Sequence, residues 1–343
     1  MTPSLTRCVL LHGLAIELWG QPDLMADALG GVWAQLPLTH GDAQDSATQI
    51  SEQISSSRTA GLSAELRSPE RHAAPAVSHS GDRVVIDAEF ARFELDKSSL
   101  SGSFTFDPSA TTTHRRALCD VFLMGLTRLL AECGLFDLHG ACVELDGRGL
   151  LLVGPSGSGK TTATLNLIAS GADYVSDDAV LISRTADSVH AFSFRRQPLL
   201  CRSTLRHFPE FGPQQEDMSA NGKSYVEPAH LGGGDFRESI APTVILLCEL
   251  TRQSPSRVEP VGKLETVLAL MQQSASLAFS RERPQAHLAL IRQLADQCVA
   301  FRIRAGEDLL RDRSLLRRLI RRALDNQQQV RQESVDQSPA VSA

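Results

Sequence analysis

The residues Gly154-Pro155-Ser156-Gly157-Ser158-Gly159-Lys160-Thr161 constrain this chain more than any other feature. An apolar run, Leu150-Leu151-Leu152-Val153, leads into them, and a helical segment from about Lys160 to Ser170, closed by Gly171, leads out. Strand, glycine-rich loop and helix form an arrangement in which backbone N–H groups turn inward around phosphate oxygens. The helix N-terminus adds a partial positive charge. In this pattern Lys160 reaches the β- and γ-phosphates, the Thr161 hydroxyl is placed to ligate Mg²⁺, and Thr162 completes the cradle. Lysine is scarce, standing only at 97, 160, 223 and 263 among 34 basic residues, which makes a chance match less credible. The motif predicts binding of a nucleoside triphosphate. It does not separate a kinase from a GTPase or a motor.

The 343 residues allow one large domain or two ordinary ones. With 42% hydrophobic and 22% charged residues a sizeable core can form, and global disorder is excluded. A net charge of −6 argues against a general polyanion binder, so no nucleic-acid partner is expected. No apolar stretch reaches the roughly 18–20 residues needed to span a membrane. His12 and Glu17 interrupt the N-terminal apolar run, which does not read as a signal peptide. The seven cysteines are odd in number and scattered, with no C-x-x-C pair, so reduced thiols in a cytoplasmic protein are expected.

Residues 1–108 read as a small β-rich N-terminal region, with strand-like runs at CVLLHGLAIELW, DRVVIDAEFARFEL and GSFTFDP. Residues 41–82, rich in Ser, Ala, Gln and charge, read as a flexible insert. From 109 to 325 strands alternate with helices, the pattern of an α/β sheet with helices packed on it. Leu118, Val121, Phe122, Leu126, Leu129 and Leu130 recur at helical spacing ahead of Gly134. FDLHGACVEL and RGLLLV read as a hairpin about Asp146-Gly147. ADYVSDDAVLIS reads as one further strand, and the polar residues 326–343 as a disordered tail.

Two features narrow the chemistry. Asp177 and Asp178 follow Lys160 by 17 and 18 residues at the end of a short strand. Paired carboxylates beside a phosphate site can divide the work, one holding Mg²⁺ and the other accepting a proton from an attacking hydroxyl. A solvated acidic turn is the bland alternative. His139 precedes Lys160 by 21 residues, on a strand expected to pair with the strand entering the loop. A lone histidine is more often a satisfied packing residue than a catalytic one, and its placement raises its standing.

Together, His139-Gly140-Ala141-Cys142-Val143, the loop Gly154 to Thr161, Gly171 and Ser176-Asp177-Asp178 resemble the catalytic domain of HPr kinase/phosphorylase and its relatives. The resemblance is firm from about Leu138 to Ile182 and weakens toward residue 325. It implies a P-loop kinase domain of the HPr kinase and phosphoenolpyruvate carboxykinase type, beside the smaller β-rich region. It further implies ATP and Mg²⁺, a protein or peptide acceptor with a serine hydroxyl, and a homo-oligomer. By position Asp178 matches the proton acceptor, Lys160 the phosphate-binding lysine, Thr161 a metal-ligating hydroxyl and His139 the active-site histidine. Asp177 falls where it would assist with metal. The glutamate-bearing signature segment and the later glycine-rich loop of the bifunctional enzyme have no clear counterpart, and residues 1–108 do not resemble its regulatory domain. The chain therefore looks like a divergent relative, of the kind that includes peptide-modifying kinases.

The expected function is an ATP- and Mg²⁺-dependent kinase acting on a hydroxyl. A non-catalytic nucleotide-binding module and a P-loop kinase of a small metabolite stand as alternatives. Secondary candidates are Arg195, Arg196, Arg202 and Arg206, any of which could face a phosphate or an acidic substrate but which read first as a solvated basic loop. Lys223 could reach in from a lid, and Gly232-Gly233-Gly234 is a weak phosphate-loop candidate. The arginine-rich stretch around Leu315, Leu316, Leu319 and Ile320 reads as an amphipathic helix packed on the sheet.

Overall fold

The computed structural model describes residues 5–12, 14–20, 29, 31–40, 59–66, 76–107, 114–211, 223–251, 254–274 and 284–336. The N-terminal part holds β1 (Leu5–Leu11), β2 (Leu14–Gly20), α1 (Gly31–Gln35), β3 (Leu38–His40), β4 (Thr59–Leu66), β5 (Ala76–Ser80), β6 (Arg83–Ala88), β7 (Ala91–Asp96) and β8 (Ser101–Phe106). They form one eight-stranded sheet in the order β3-β1-β2-β4-β8-β7-β6-β5. Period-two burial builds its inner face: Ala91, Phe93 and Leu95 on β7, and Phe104 and Phe106 on β8, are buried. β4 is an internal strand, although the sequence reading placed it inside a flexible insert. Its apolar positions Ala60, Leu62, Ala64 and Leu66 alternate with Thr59, Gly61, Ser63 and Glu65, but two of the four are small alanines, a weak signal inside a polar neighbourhood. Residues 41–58 and 67–75 of that insert lie outside the described residues.

Helix α2 (Arg115–Glu132) covers this sheet with the residues its 3.6-residue period selects: Leu118, Val121, Phe122, Leu126, Leu129 and Leu130 are all buried. Phe122 packs edge-on against Phe93, Phe104 and Trp33, with ring centroids 6.4, 5.4 and 6.0 Å away. Gly125 is required by close approach, because a Cβ there would lie 2.1 Å from the Phe93 ring.

The rest of the chain runs β9 (Phe136–Leu138), β10 (Gly140–Leu145), β11 (Arg148–Val153), α3 (Lys160–Ala169), β12 (Asp173–Ser176), β13 (Val180–Arg184), β14 (Val189–Ser193), β15 (Leu199–Cys201) and α4 (Arg202–Leu205). It continues through β16 (Lys223–Tyr225), β17 (Ser239–Ile240), β18 (Pro242–Leu250), β19 (Arg257–Pro260), α5 (Lys263–Gln272), α6 (Pro284–Gln297), β20 (Val299–Ala305), α7 (Asp308–Arg311) and α8 (Leu315–Asp336). A six-stranded sheet, β12-β10-β11-β18-β20-β19, carries the loop strand β11 near its centre, parallel to β18 and antiparallel to β10. Its strands are buried on both faces. Ala141, Leu150, Leu152 and Leu246 pack with residues of α3 and α8, whereas Cys142, Leu151, Val153 and Ile245 pack with α5, α6 and a second, four-stranded sheet β17-β14-β13-β9.

Two sequence expectations change here. ADYVSDDAVLIS is not one strand: β12 belongs to the six-stranded sheet and β13 to the four-stranded one, with Asp177 and Asp178 at the break. Helix α8 continues through Asp336, past the residue 326 at which a disordered tail was expected. The Gln-, Glu- and Arg-rich extension contains no Gly or Pro and its residue types are good helix formers. Residues 337–343 lie outside the described residues. Leu316 and Ile320 of α8 are buried, while Arg317 and Arg321 reach Asp146 at the β10–β11 turn.

Phe122→Ala removes the ring on which Phe93 of β7, Phe104 of β8 and Trp33 of α1 converge. It is expected to cost about 3–5 kcal/mol, measured as a lowered midpoint in urea unfolding.

Candidate functional site

The site begins with two neighbouring chain segments that change sheet at the same level. β9 lies in the four-stranded sheet and β10 in the six-stranded one, with His139 as the single residue between them. Their antiparallel partners are β13 and β12, pairing Leu138 with Val180 and Cys142 with Ser176. His139 therefore sits on a bend and not within a strand, as its sequence context had suggested. The bend places its side chain opposite the break that carries Asp177 and Asp178.

Hydrogen bonds fix both bends. The His139 backbone N–H donates to the Gln273 carbonyl at the end of α5, 2.7 Å away. The buried Ser176 hydroxyl donates to the Ala179 carbonyl at 2.6 Å and accepts from the N–H groups of Phe194 and Arg195 at 3.0 and 3.3 Å. The Ala179 N–H closes a three-residue turn onto the Asp177 carbonyl at 2.8 Å, and Asp178, at its centre, takes a φ of 67°. Left-handed backbone is unusual outside glycine, though aspartate tolerates it better than most, and such positions cluster at functional sites. The Nδ1 of His139 lies 2.7 Å from the Asp178 carbonyl oxygen. A carbonyl only accepts, so Nδ1 carries the proton and Nε2 presents a lone pair.

Lys160 meets that lone pair. Its ammonium lies 3.0 Å from His139 Nε2 and donates to the carbonyls of Gly154 and Pro155 at 2.6 and 3.1 Å. The lysine is the first residue of α3 and is 6% exposed, so its charge is held by the loop itself. Gly159 caps the helix in left-handed conformation, with φ 92°. Thr161, one residue on, directs its hydroxyl at the Asp177 carboxylate, 3.2 and 3.3 Å from its two oxygens.

Asp177 is 1% exposed. Burial, with the Asp178 charge beside it, pushes its carboxyl up to about 6; the Thr161 hydroxyl and Arg195 only partly offset this. Asp178 is more open. One carboxylate oxygen lies 3.6 Å from His139 Nδ1 and the other 3.8 Å from an Arg195 guanidinium nitrogen.

A cavity of 580 Å³ opens over the start of α3. His139, Lys160, Thr161, Thr162 and Asp178 line its floor, Cys201, Thr204 and His207 one wall, and Leu250, Thr251, Gly306 and Leu309 the other. The size suits a small-molecule ligand. Of the other cradle residues, Gly157, Gly159 and Ser156 border this cavity. Gly154, Pro155 and Ser158 border a separate hollow of 400 Å³ on the far flank of the loop. Among the described residues no group of three or more His, Cys, Asp or Glu side chains gathers as a metal cluster.

His139, Lys160, Thr161, Asp177 and Asp178 thus come together, joined by contacts of 2.7–3.6 Å. Of the secondary candidates, Arg195 joins them and Arg202 and Arg206 are exposed on α4 and just beyond it. The Lys223 side chain lies outside the described residues. The triple glycine does not serve a phosphate: a Cβ on Gly233 would meet Ile168 at 2.3 Å, so this loop packs closely on the end of α3. Ser176 was named in the sequence only as part of the acidic motif and given no role, and the cavity walls were missed. Ser176 had a signal, its place directly before two acidic residues, but no residue type announces a wall.

Residues 133–196 match the family of the HPr Serine kinase C-terminal domain. This segment is HPr kinase-like. It contains His139, the whole phosphate loop, both aspartates and Arg195. The HPr kinase/phosphorylase of Chlorobium chlorochromatii is 40% identical over 84 residues, 24% of this chain and 23% of its own. That of an Azoarcus species is 40% identical over 80 residues, 23% of this chain and 25% of its own. The chain thus spans about a quarter of the length of these relatives. The solved Hpr(Ser) kinase/phosphatase of Coxiella burnetii aligns over 59% of this chain and 99% of its own, at 12% identity and a TM-score of 0.32. Among the described residues no helix is long and apolar enough to cross a membrane.

Asp177 gives a stability prediction independent of any activity. Its folded-state value near 6 lies above the ordinary value of 3.8, so the unfolded chain loses this proton first. Between these two values the folded state binds more protons, and stability falls as pH rises through the window. Above it the full penalty is present, on the order of 2–3 kcal/mol. Ligand-free Asp177→Asn is therefore expected to melt several degrees higher than wild type at pH 7.5. The gap should close as pH falls toward 4, followed by thermal unfolding across that range.

Proposed function

We propose that this chain is an ATP- and Mg²⁺-dependent kinase that transfers the γ-phosphoryl group to a hydroxyl, that of a serine in a small protein or peptide, as in a peptide-modification pathway. Residues 109–325 form the catalytic unit in this reading, with the N-terminal region beside it. The observation that carries the proposal is the convergence of Lys160, Thr161, Asp178 and His139 on one cavity, with buried Asp177 directly behind the Thr161 hydroxyl. The HPr kinase/phosphorylase names of the relatives support the same direction.

Backbone N–H groups within residues 156–161 and the α3 N-terminus favour the triphosphate. Lys160 exchanges its loop carbonyls and His139 Nε2 for phosphate oxygens. Thr161 and Asp177 are adjacent hard oxygen donors, a fit for Mg²⁺, which keeps several waters and takes one or two carboxylates. Bound there, the ion would neutralise charge on the β- and γ-phosphates. Its charge would also relieve the cost of ionising buried Asp177. Asp178 accepts the acceptor hydroxyl proton while its carbonyl is held by His139 Nδ1. The chain supplies mainly positioning and electrostatic stabilisation.

The test is phosphoryl transfer from labelled ATP to serine peptides and to proteins of a cell extract, with mass spectrometry of any acceptor. Lys160→Ala and Asp178→Asn are each expected to lower transfer by about 10²–10⁴-fold. Lys160→Ala should also weaken nucleotide binding, whereas Asp178→Asn should leave it intact. Full activity in Asp178→Asn would remove its role, and nucleotide binding without transfer to any acceptor would leave only a binding module.

A further inference from the structure

We infer that Arg195 is a positioning residue for Asp178, seated from outside the catalytic unit by the N-terminal region; this rests on the kinase reading above. Arg195 is 17% exposed and lies 3.8 Å from one oxygen of the Asp178 carboxylate. The other oxygen lies on the His139 side. The guanidinium on one oxygen orients the carboxylate and leaves the other toward the cavity.

Arg195 is itself fixed at its backbone. Its N–H donates to the Ser176 hydroxyl, and its carbonyl accepts the hydroxyl of the fully buried Tyr174 at 3.2 Å. These two contacts tie the arginine to the strand that carries the acidic pair. On either side, however, the partners come from the N-terminal region: the turn after β1, the end of α1 and the start of β3. The Ser193 carbonyl takes His12 Nε2 at 2.5 Å. The Arg196 N–H donates to the Gln35 carbonyl at 2.9 Å, and its guanidinium donates to the Leu38 carbonyl at 3.2 Å. The Gln35 amide donates to Gln197 at 2.9 Å. His12 is buried deeply enough that its imidazole is held down to about 4, neutral and able to make this contact at physiological pH. Four contacts from residues 12–38 therefore grip residues 193–197, and Arg195 is the member of that loop that turns to the site.

The experiment compares Arg195→Ala, Arg195→Lys, Arg196→Met and the Arg195→Ala/Arg196→Met double variant in the transfer assay. Arg195→Ala should lower kcat by roughly 10²-fold, with the nucleotide dissociation constant and the melting temperature near those of wild type. Arg195→Lys, or millimolar guanidinium added to the Ala variant, should restore part of kcat; a purely structural role would not respond to the added ion. Arg196→Met should lower kcat less, and the double variant should be no slower than Arg195→Ala alone. Wild-type kcat in Arg195→Ala, or a parallel loss of nucleotide affinity, overturns the positioning role. Multiplying losses in the double variant overturn the seating by residues 12–38. Absence of transfer by the wild-type protein to any acceptor is a different failure and removes the kinase reading itself.

Discussion

The hydrogen bond from His139 Nδ1 to the Asp178 carbonyl closes the gap between two bends that would otherwise be separate irregularities of the sheets. It spans 39 residues of sequence and joins two antiparallel neighbours at the point where both change sheet. Because the acceptor is a carbonyl, it also fixes which ring nitrogen is left for Lys160. One contact thus sets the tautomer of the histidine, the resting place of the ammonium and the backbone of the outer aspartate. The left-handed turn at Asp178 costs of order 1–3 kcal/mol, a strain that the Ser176 and His139 hydrogen bonds together are well able to hold.

The same region concentrates charge where water is scarce. Lys160 and Asp177 are both almost fully buried: the ammonium lies against the Gly154 and Pro155 carbonyls and the His139 imidazole, and the carboxylate accepts from the Thr161 hydroxyl and the Asp178 N–H, with Arg195 acting from further off. Neutral partners stabilise a buried charge less than an ion of opposite sign does. Burial and the neighbouring Asp178 charge make ionised Asp177 costly, a cost that a cation beside it would offset. A triphosphate with its metal carries both signs in the required order. In the proposed kinase reading, the stability given up by the ligand-free chain at Asp177 is what binding would recover, the usual relation between stability and function at such sites.

The strand, loop and helix around Lys160 were legible because their physics is local: apolar run, glycines, lysine and helix formers follow one another without interruption. Helix α2 was legible for the same reason, since its buried face is a plain 3.6-residue period. The β4 strand was not, because its alternating positions Ala60, Leu62, Ala64 and Leu66 are half alanine and lie in a polar stretch. The division of ADYVSDDAVLIS into β12 and β13 was hidden for a different reason. Apolar residues continue on both sides of the aspartates, and nothing in a one-dimensional pattern records a change of sheet. For the candidate site the residue types could be read from spacing, but not their mutual distances. Arg195 looked like one of four equivalent arginines until the fold turned one inward and left others in solvent.

The four-stranded sheet makes that selection possible. Leu181 and Phe192 point into the core under α2 and the first sheet, while Val180, Ile182 and Ala191 point into the core beneath the six-stranded sheet. Alternate residues of β13 and β14 thus belong to different cores, so this sheet cannot shift against one without disturbing the other. The break after β12 opens at one end of this shared layer, and the arginine loop leaves β14 at the same end. The N-terminal region therefore bears on the acidic pair through packed strands as well as through the hydrogen bonds of residues 193–197. A chain with only the phosphate loop and its helix would hold a nucleotide; the shared layer is what gives the two aspartates a fixed place beside it.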